Sequence, residues 1–303
     1  MRIKRVIDTQ KTEALAVYVD GQWKLLDTSH GIVDLLDANL DESLSEFNDF
    51  DESEYTDLIP MKPAAYRDFM LFEKHAIDAT RGFVKKYMPK LLPIVKAYEG
   101  IFRKPFPKLK PKSRYYQHPI YYMGNHLNFI THNDTIQIPS YTEELDYELE
   151  IAAIITKPLK NATPEEVEQA IGGFVILNDF SARDVQISEM ESGFGPMKTK
   201  NFGSSISSHI VSREELINRL QQLKTKVHIN EQLVAEGTTE GMYYSIQEAI
   251  AYASWEEQLH PGELFGSGTV PGCTGIENGI MLKRGDTITL AVEGLGQLTN
   301  QVV

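Results

Sequence analysis

Three things are scarce in this chain of 303 residues: cysteine, net positive charge and long apolar runs. Cys273 is the only cysteine, so no disulfide can form within the chain, and the sequence suits a reducing compartment. Aspartate and glutamate outnumber lysine and arginine by 43 to 30, which disfavours nucleic acid and anionic membrane surfaces as partners. Neither a signal-peptide pattern nor a run of about 18 apolar residues occurs. The sequence therefore predicts a cytoplasmic protein that acts on a small molecule and binds no membrane.

The pattern of apolar and polar residues changes near residue 63, which predicts that the chain is divided into two structural parts. Residues 1–62 form a predicted small N-terminal β module, since short alternating runs flank an Asp-Gly turn at residues 20–21. Its acidic stretch, residues 36–55, is typical of a solvated helix or loop. Residues 63–303 form the predicted second part, which is mostly strand-like.

Local patterns in the second part predict its first elements. Apolar residues recur at helical spacing over 64–87, with Asp68 near the start and His75 one to two turns later. The segment 90–120 is rich in proline and lysine and is typical of a surface loop. Thr163, followed by a proline and then by Glu166, predicts an N-capped helix.

Two glutamates stand at the start of an apolar, strand-like run, LDYELEIAAII, at residues 145–155. On a strand, side chains two residues apart point to the same face, so Glu148 and Glu150 are expected side by side. A solvated strand edge is the plain interpretation of such a pair. A second apolar run ends on Asp179 and would bring a third carboxylate to a strand terminus. Carboxylates that converge need a counter-charge, and their oxygens suit magnesium, manganese or calcium, whereas zinc prefers histidine and cysteine.

Four motifs, in this order, resemble the fumarylacetoacetate hydrolase superfamily: LDYELE, NDFSARDVQ, KNFGSSIS and GSGTVPG. The resemblance covers residues 64–303 and includes AYRDFMLFEKHA upstream of the four motifs. It implies a mainly β (α+β) fold, in which a mixed β-sandwich roll follows a small N-terminal β module. It also implies a homodimer, a small keto acid as substrate, and one divalent cation as cofactor, with magnesium or manganese preferred and calcium as a further choice.

The resemblance also assigns roles to individual residues of this chain. The implied metal ligands are Asp68, Glu148, Glu150 and Asp179. The implied catalytic groups are His75 and Lys200. The implied substrate contacts are Gln186, Tyr122, Gly268 and Thr269.

The chemistry of these side chains fits one reaction class. A divalent cation chelated by two oxygens of a keto acid polarises a carbonyl and stabilises the enolate that leaves when the adjacent carbon-carbon bond breaks. Histidine is the side chain whose ordinary pKa suits removal of a proton from water near neutral pH, which indicates His75. Lys200 would add a fixed positive charge, an effect worth about 3–4 kcal/mol per donor in acyl-transfer enzymes.

The predicted function is hydrolysis of a carbon-carbon bond in an acylpyruvate or related 1,3-diketo acid. The alternative on the same metal site is decarboxylation of oxaloacetate, or isomerisation or hydration of a 2-oxo acid. A module that only binds metal or a carboxylate is a third interpretation. Hydrolysis differs from the alternative reactions in whether water must attack a carbonyl.

Several positions depart from the hydrolase pattern. Lys283 stands at the approximate place of the glutamate that orients the histidine in hydrolases, so Asp78, three residues after His75, is the predicted helper. Met190 stands where the pattern has a second tyrosine, and Arg81 is the nearest substitute for a substrate-binding arginine. These departures predict a substrate other than fumarylacetoacetate.

Overall fold

Strands dominate the part of the chain that the computed structural model describes, which is residues 1–28, 30–37 and 47–303. Residues 38–46 of the predicted acidic surface lie outside the described residues. The strands are β1 (Arg2–Asp8), β2 (Glu13–Val19), β3 (Gln22–Leu26), β4 (Phe47–Asp49), β5 (Tyr55–Asp57), β6 (Tyr66–Phe69), β7 (Tyr121–Met123), β8 (Phe129–Ile130), β9 (Thr135–Ile136), β10 (Leu145–Asp146), β11 (Leu149–Ile155), β12 (Ile171–Asn178), β13 (Ser181–Ala182), β14 (Ser204–Ile206), β15 (His209–Ser212), β16 (Lys224–Ile229), β17 (Gln232–Thr238), β18 (Leu264–Gly266), β19 (Thr287–Val292) and β20 (Gly296–Val302). The α-helices are α1 (Ile32–Asp37), α2 (Glu73–Tyr87), α3 (Leu92–Phe102), α4 (Pro164–Ala170), α5 (Arg183–Glu191), α6 (Arg213–Leu216), α7 (Ile246–Ala253) and α8 (Gly275–Asn278). None of the described helices is long and apolar enough to cross a membrane.

The strands form one large sheet and two smaller ones. The large sheet follows the order β4-β3-β2-β1-β15-β12-β11-β18-β6-β7, and β5, β8 and β14 pair beside this path. A second sheet follows the order β17-β16-β19-β20-β9, and β10 pairs with β13. Antiparallel pairs occur beside parallel ones, of which β6 with β18 is the pair that reaches the site. This architecture confirms the predicted mainly β (α+β) class with mixed sheets.

The apolar run at residues 149–155 forms β11, which is buried at every position. Both faces of this strand are covered, which explains why its sequence does not alternate between apolar and polar residues. Ile151 and Ala153 pack into a core shared with the second sheet and α7, whereas Ala152 and Ile154 pack into a core shared with the N-terminal strands and α1. Because side chains alternate along a strand, Glu150 lies on the same face as Ala152 and Ile154. A buried carboxylate is costly there unless it is paired or binds a cation, so its presence indicates a functional site.

The N-terminal strands continue the large sheet. Strand β1 is antiparallel to β15, with Arg2 opposite Val211, and it also pairs with β2 and β5. Strands from both sides of residue 62 therefore share one sheet. The division into residues 1–62 and 63–303 stays a prediction.

Two local predictions upstream of the site were wrong. The predicted helix over 64–87 is divided in the structure: residues 66–69 form β6, and α2 begins at Glu73. A buried apolar run as short as β6 fits helix and strand alike, and its neighbours β18 and β7 decide the outcome. The segment 90–120, predicted as a loop, contains α3, whose Pro93 lies in the first turn, where a missing N–H costs nothing.

The N-capped helix predicted from Thr163 and Glu166 is confirmed as α4. The Thr163 hydroxyl accepts a hydrogen bond from the Glu166 N–H, and the Glu166 carboxylate accepts one from the Thr163 N–H. The helix ends at Ala170, after which the chain continues directly into β12.

Candidate functional site

Three strands bring three buried carboxylates together. Asp68 lies on β6, Glu150 near the start of β11, and Asp179 directly after β12, so residues far apart in sequence meet at the same end of these strands. One carboxylate oxygen from each lies within 4.8 Å of the other two. All three residues are buried. We call Asp68, Glu150 and Asp179 the carboxylate triad.

Strand β18 separates β6 from β11 and leaves room for the triad by having no side chain at one position. Gly266 is opposite Asp68 on one side and opposite Ala152 on the other. A Cβ atom at Gly266 would lie 2.4 Å from Asp68 Oδ1 and 2.9 Å from Glu150 Oε2. Any other residue at this position would therefore displace the carboxylates.

Burial and mutual repulsion disfavour ionisation within the triad. Burial, followed by the charge of Asp179, raises the pKa of Asp68. Burial, followed by the charge of Asp68, raises the pKa of Glu150. Asp68 Oδ1 is buried and finds no hydrogen-bond partner among the described residues. A divalent cation with oxygen ligands would satisfy this oxygen and offset the repulsion, so the donor set fits magnesium, manganese or calcium.

Glu148 has a different environment from Glu150. Its carboxylate accepts hydrogen bonds from the Arg183 guanidinium and from the Lys200 ammonium, both of which are buried. Although burial opposes ionisation, Arg183 and Lys200 lower the pKa of Glu148, and His75 contributes in the same direction. Glu148 is not in the group that lies within 4.8 Å, and its predicted role as a metal ligand stays a prediction.

Lys200 and Tyr122 both donate to Asp179. Lys200 Nζ lies 2.5 Å from Asp179 Oδ2, and the Tyr122 hydroxyl lies 2.8 Å from the same oxygen. Burial opposes the charged form of Lys200, but Asp179 and Glu148 outweigh it and raise the pKa of the ammonium. The structure therefore places a permanent positive charge at one end of the triad.

His75 is held by a glutamate that sequence reasoning missed. His75 Nδ1 lies 2.5 Å from Glu277 Oε1, and the other carboxylate oxygen accepts a hydrogen bond of 2.7 Å from the Gly272 N–H. Asp78, the predicted helper, instead pairs with Lys74 and Arg81 on the outer side of α2. Side chains three residues apart on a helix are neighbours, but helix α8, from a distant part of the chain, brings Glu277 to His75 instead.

The glutamate stands six residues before the position at which it was sought. Lys283 is exposed, whereas the side chain of Glu277, on α8, is only 6% exposed. Helix α8 packs against α2, because Gly82 leaves space for the Ile276 carbonyl, which would lie 2.1 Å from a Cβ atom there. The motif GIENGI contains the only glutamate of this segment, and that was the available signal.

The predicted substrate contacts are occupied by the protein's own groups. The Gly268 N–H donates to Glu150 Oε2 at 3.0 Å, and the Thr269 hydroxyl lies 3.5 Å from Glu150 Oε1. Gln186 Oε1 accepts from Arg183 Nη1 at 2.9 Å. Their roles toward a substrate stay predictions.

Arg81, predicted as a substitute for a substrate-binding arginine, is held by two carboxylates. Its guanidinium pairs with Asp78 and with Glu99 Oε1, the latter at 2.8 Å. Met190 is exposed at the end of α5. Arg81 would have to leave both partners to meet a substrate.

A second charge network, not predicted from the sequence, links Glu148 through Arg183 to Asp146. Arg183 Nε donates to Asp146 Oδ2 at 2.7 Å, and the two oxygens of Asp146 also accept from the N–H groups of Gly275 and Ile276. Asp146 therefore links Arg183 to the start of α8, which carries Glu277. Both residues lie inside motifs that were quoted for the family resemblance, LDYELE and NDFSARDVQ, but local sequence does not reveal that they pair.

The raised pKa values predict a pH dependence for the metal-free protein. A carboxyl whose pKa is raised by folding binds more protons folded than unfolded, so the free energy of unfolding falls as pH rises between the two pKa values, by up to about 1.4 kcal/mol per pH unit for each group. Asp68 belongs to this class. We expect the melting temperature in EDTA to fall less steeply with pH in the Asp68→Asn variant than in the wild type.

That comparison is made by thermal melts from about pH 5 to pH 8, with the variant as reference at each pH. His209 and His132 contribute the opposite slope, because burial lowers the pKa of each imidazole, but they do so in both proteins and cancel in the difference. Parallel melting curves across the range would contradict the prediction.

The chain matches a family model described as fumarylacetoacetate (FAA) hydrolase C-terminal over residues 97–303. It is 34% identical over 179 residues to the fumarylacetoacetate hydrolase domain-containing protein 2 homolog of Dictyostelium discoideum, with 56% of this chain and 59% of that protein covered. It is 31% identical over 173 residues to the mitochondrial oxaloacetate tautomerase of Xenopus laevis, with 56% of this chain and 54% of that protein covered. The chain thus spans between half and two thirds of the length of these two relatives.

Solved structures share the fold over the whole chain. The fumarylacetoacetate hydrolase of the psychrophilic Exiguobacterium antarcticum superimposes with a TM-score of 0.72, at 20% identity and with 100% of this chain and 99% of that chain covered. At this identity the likeness shows the fold alone.

Proposed function

The chain belongs to the fumarylacetoacetate hydrolase family, and we propose that it is a divalent-metal-dependent hydrolase of a carbon-carbon bond in an acylpyruvate or a related 1,3-diketo acid. The observation that supports this proposal best is the His75–Glu277 pair, whose glutamate lies on the short helix α8 that Asp146 and Arg183 link to Glu148. A cation held by Asp68, Glu150 and Asp179, with Glu148 as a further proposed ligand, would supply positive charge that polarises the substrate carbonyls.

Within this proposal, His75 removes a proton from water. Glu277 accepts a hydrogen bond from Nδ1–H and so leaves Nε2 as the basic nitrogen. The hydroxide equivalent attacks the distal carbonyl carbon, the adjacent carbon-carbon bond breaks, and its electron pair passes to the enolate of pyruvate. A proton on that carbon completes pyruvate, and the acyl half leaves as a carboxylic acid.

Lys200 and Tyr122 have an electrostatic role in this reaction. Both donors converge on one oxygen of Asp179, at 2.5 Å and 2.8 Å, so they fix the orientation of that carboxylate. The Lys200 ammonium also lies beside Glu148 and remains charged throughout the neutral range. A fixed charge at this point favours the developing enolate without any reorganisation of the protein.

The first experiment is the loss of 1,3-diketo absorbance from an acylpyruvate with magnesium or manganese, repeated after chelation with EDTA. We expect metal-dependent loss that yields pyruvate and the free carboxylic acid in equal amounts. Absorbance loss without pyruvate, or pyruvate formation at the same rate in EDTA, would contradict the proposal.

A second candidate is isomerisation of a 2-oxo acid, such as the keto–enol interconversion of oxaloacetate, with oxaloacetate decarboxylation as a further possibility on the same site. The tautomerase of Xenopus laevis favours it, since this relative is 31% identical over the matched region. His75 would then move a proton between carbon and oxygen, and no water would be consumed. Interconversion of oxaloacetate without release of pyruvate or carbon dioxide would support tautomerisation over both hydrolysis and decarboxylation.

A homodimer and a cytoplasmic location remain predictions from the sequence. Light scattering on the purified chain tests the first directly. A mass near twice the 34.3 kDa of one chain is expected.

A further inference from the structure

The turn that presents Lys200 rests on a buried carboxylate that the proposed reaction does not use. Glu189 lies in the last turn of α5 and is 8% exposed. Its Oε2 accepts hydrogen bonds from the N–H groups of Met197 at 2.7 Å and Thr199 at 3.1 Å, and from the Thr199 hydroxyl at 2.7 Å. Its Oε1 accepts from the Lys198 N–H at 2.8 Å. Three consecutive backbone N–H groups thus converge on one side chain.

The position of Glu189 is unfavourable for an ionised carboxylate unless hydrogen bonds from the following turn stabilise it. A carboxylate near the C-terminal end of a helix is opposed by the helix dipole. Burial also disfavours its charge, but the donors from Met197 and Thr199 outweigh burial and lower the pKa of Glu189. Hydrogen bonds to an ionised carboxylate are roughly twice as strong as neutral ones. The carboxylate therefore stabilises the turn at residues 197–201 and not the helix that carries it.

The chain between α5 and this turn imposes little restraint of its own. Gly193 and Gly195 both have φ of +83°, a Cβ atom at either would have no neighbour within 4 Å, and Phe194 between them is 88% exposed. Besides the bonds to Glu189, the Ala182 N–H donates to the Thr199 carbonyl at 2.9 Å, and the Tyr141 hydroxyl donates to the Lys198 carbonyl at 2.6 Å. Asn201 accepts from the Asn125 N–H and from the Asn128 side chain, both at 3.0 Å. Glu189 therefore binds the N–H groups of residues 197–199, directly before Lys200, whereas the other contacts bind the carbonyl groups of Lys198 and Thr199 and the side chain and carbonyl of Asn201.

Lys200 follows directly on this anchored turn. Its ammonium reaches Asp179 and Glu148, and its side chain is only 5% exposed. We propose that Glu189 is a positioning residue, which holds the turn at residues 197–201 so that the Lys200 ammonium meets Asp179 and Glu148. The consequence for catalysis rests on the proposed function, whereas the placement of Lys200 does not.

The test compares Glu189→Gln with Glu191→Gln, which removes an exposed charge two residues away on the same helix. Glutamine offers one acceptor oxygen, and its NH₂ group would face a backbone N–H. In the metal-free protein, Lys200 is labelled with an amine-reactive reagent and quantified by mass spectrometry. We expect the Lys200 labelling rate to rise about tenfold in Glu189→Gln and to match the wild type in Glu191→Gln. Equal labelling of Lys200 in all three proteins would overturn the proposal, whatever the reaction is.

Activity gives an independent readout through a double-mutant cycle. Glu189→Gln is expected to lower kcat by about 10- to 100-fold with little change in KM, but by less than about twofold when Lys200 is already methionine. Equal losses in both backgrounds would mean a general structural role and would overturn the proposal. If Glu189→Gln does not fold, Thr199→Val removes one donor to the same carboxylate, and an unchanged Lys200 labelling rate in that variant would have the same meaning.

Discussion

Replacing Glu150 by glutamine is expected to stabilise the metal-free protein and to abolish its stabilisation by a divalent cation. Burial and the neighbouring charge of Asp68 raise the pKa of Glu150, so ionisation of this group is a cost to the metal-free fold. The amide of glutamine is neutral, and its oxygen can still accept from the Gly268 N–H. The gain is about 1.4 kcal/mol for each pH unit by which folding raises the pKa, up to the working pH.

In the presence of metal the same substitution costs stability. A ligand at 100 times its dissociation constant stabilises the state that binds it by about 2.7 kcal/mol, and Glu150→Gln would remove most of this increment along with a charged ligand. Thermal or urea unfolding in EDTA and in excess manganese measures both terms. Isothermal titration with manganese checks the binding directly.

Replacing Glu148, two residues earlier, is expected to have the opposite effect on the metal-free protein. The carboxylate of Glu148 is the shared partner of Arg183 and Lys200, and both cations are buried. Removing one member of a buried ion pair costs about 3–5 kcal/mol, since it leaves charge without compensation. Glu143→Gln, at an exposed position nearby, is the matched control and should be neutral. The same sign of change for Glu148→Gln and Glu150→Gln in EDTA would contradict this interpretation.

The two glutamates show how far the sequence predicts the site. The four motifs predicted the family, but the predicted single strand through Glu148 and Glu150 is interrupted: Glu150 lies on β11, whereas Glu148 precedes that strand and forms an isolated bridge with Thr274. Local sequence did not predict that Glu148 is held by Arg183 and Lys200 while Glu150 meets Asp68. That difference depends on contacts between residues 35 to 82 positions apart, which periodicity within a strand does not encode.

Among the elements around the site, those determined by local contacts were predicted correctly and those determined by distant contacts were not. The N-cap of α4 depends on hydrogen bonds between Thr163 and Glu166, which are three residues apart. Such local hydrogen bonds can be predicted from the sequence. Strand β6 was mistaken for helix because its four residues are buried by β18 and β7, which come from distant parts of the chain. Glu277 was missed because a fixed spacing was assumed across loops, and loops tolerate insertions and deletions.

Replacing His75 by asparagine is expected to lower the hydrolytic kcat by about 10²- to 10⁴-fold, the usual contribution of a general base. His75 does not belong to the carboxylate triad, so manganese affinity should change little. Glu277→Gln should lower kcat by a smaller factor, because His75 is retained. The amide has one acceptor oxygen, which can serve either the imidazole Nδ1–H or the Gly272 N–H but not both, and it no longer stabilises the imidazolium. His260→Asn, at an exposed position, is the control and should leave kcat unchanged.

Comparing acylpyruvate with oxaloacetate as substrates of the His75→Asn variant tests whether His75 activates water. Hydrolysis requires water to be activated, whereas decarboxylation of oxaloacetate requires only that the charge of the departing electron pair be stabilised. Loss of acylpyruvate hydrolysis in His75→Asn, with any oxaloacetate decarboxylation kept within about threefold, would assign water activation to the His75–Glu277 pair. Retention of hydrolysis in His75→Asn, with manganese still bound, would mean that another group activates water and would overturn the role proposed for this pair.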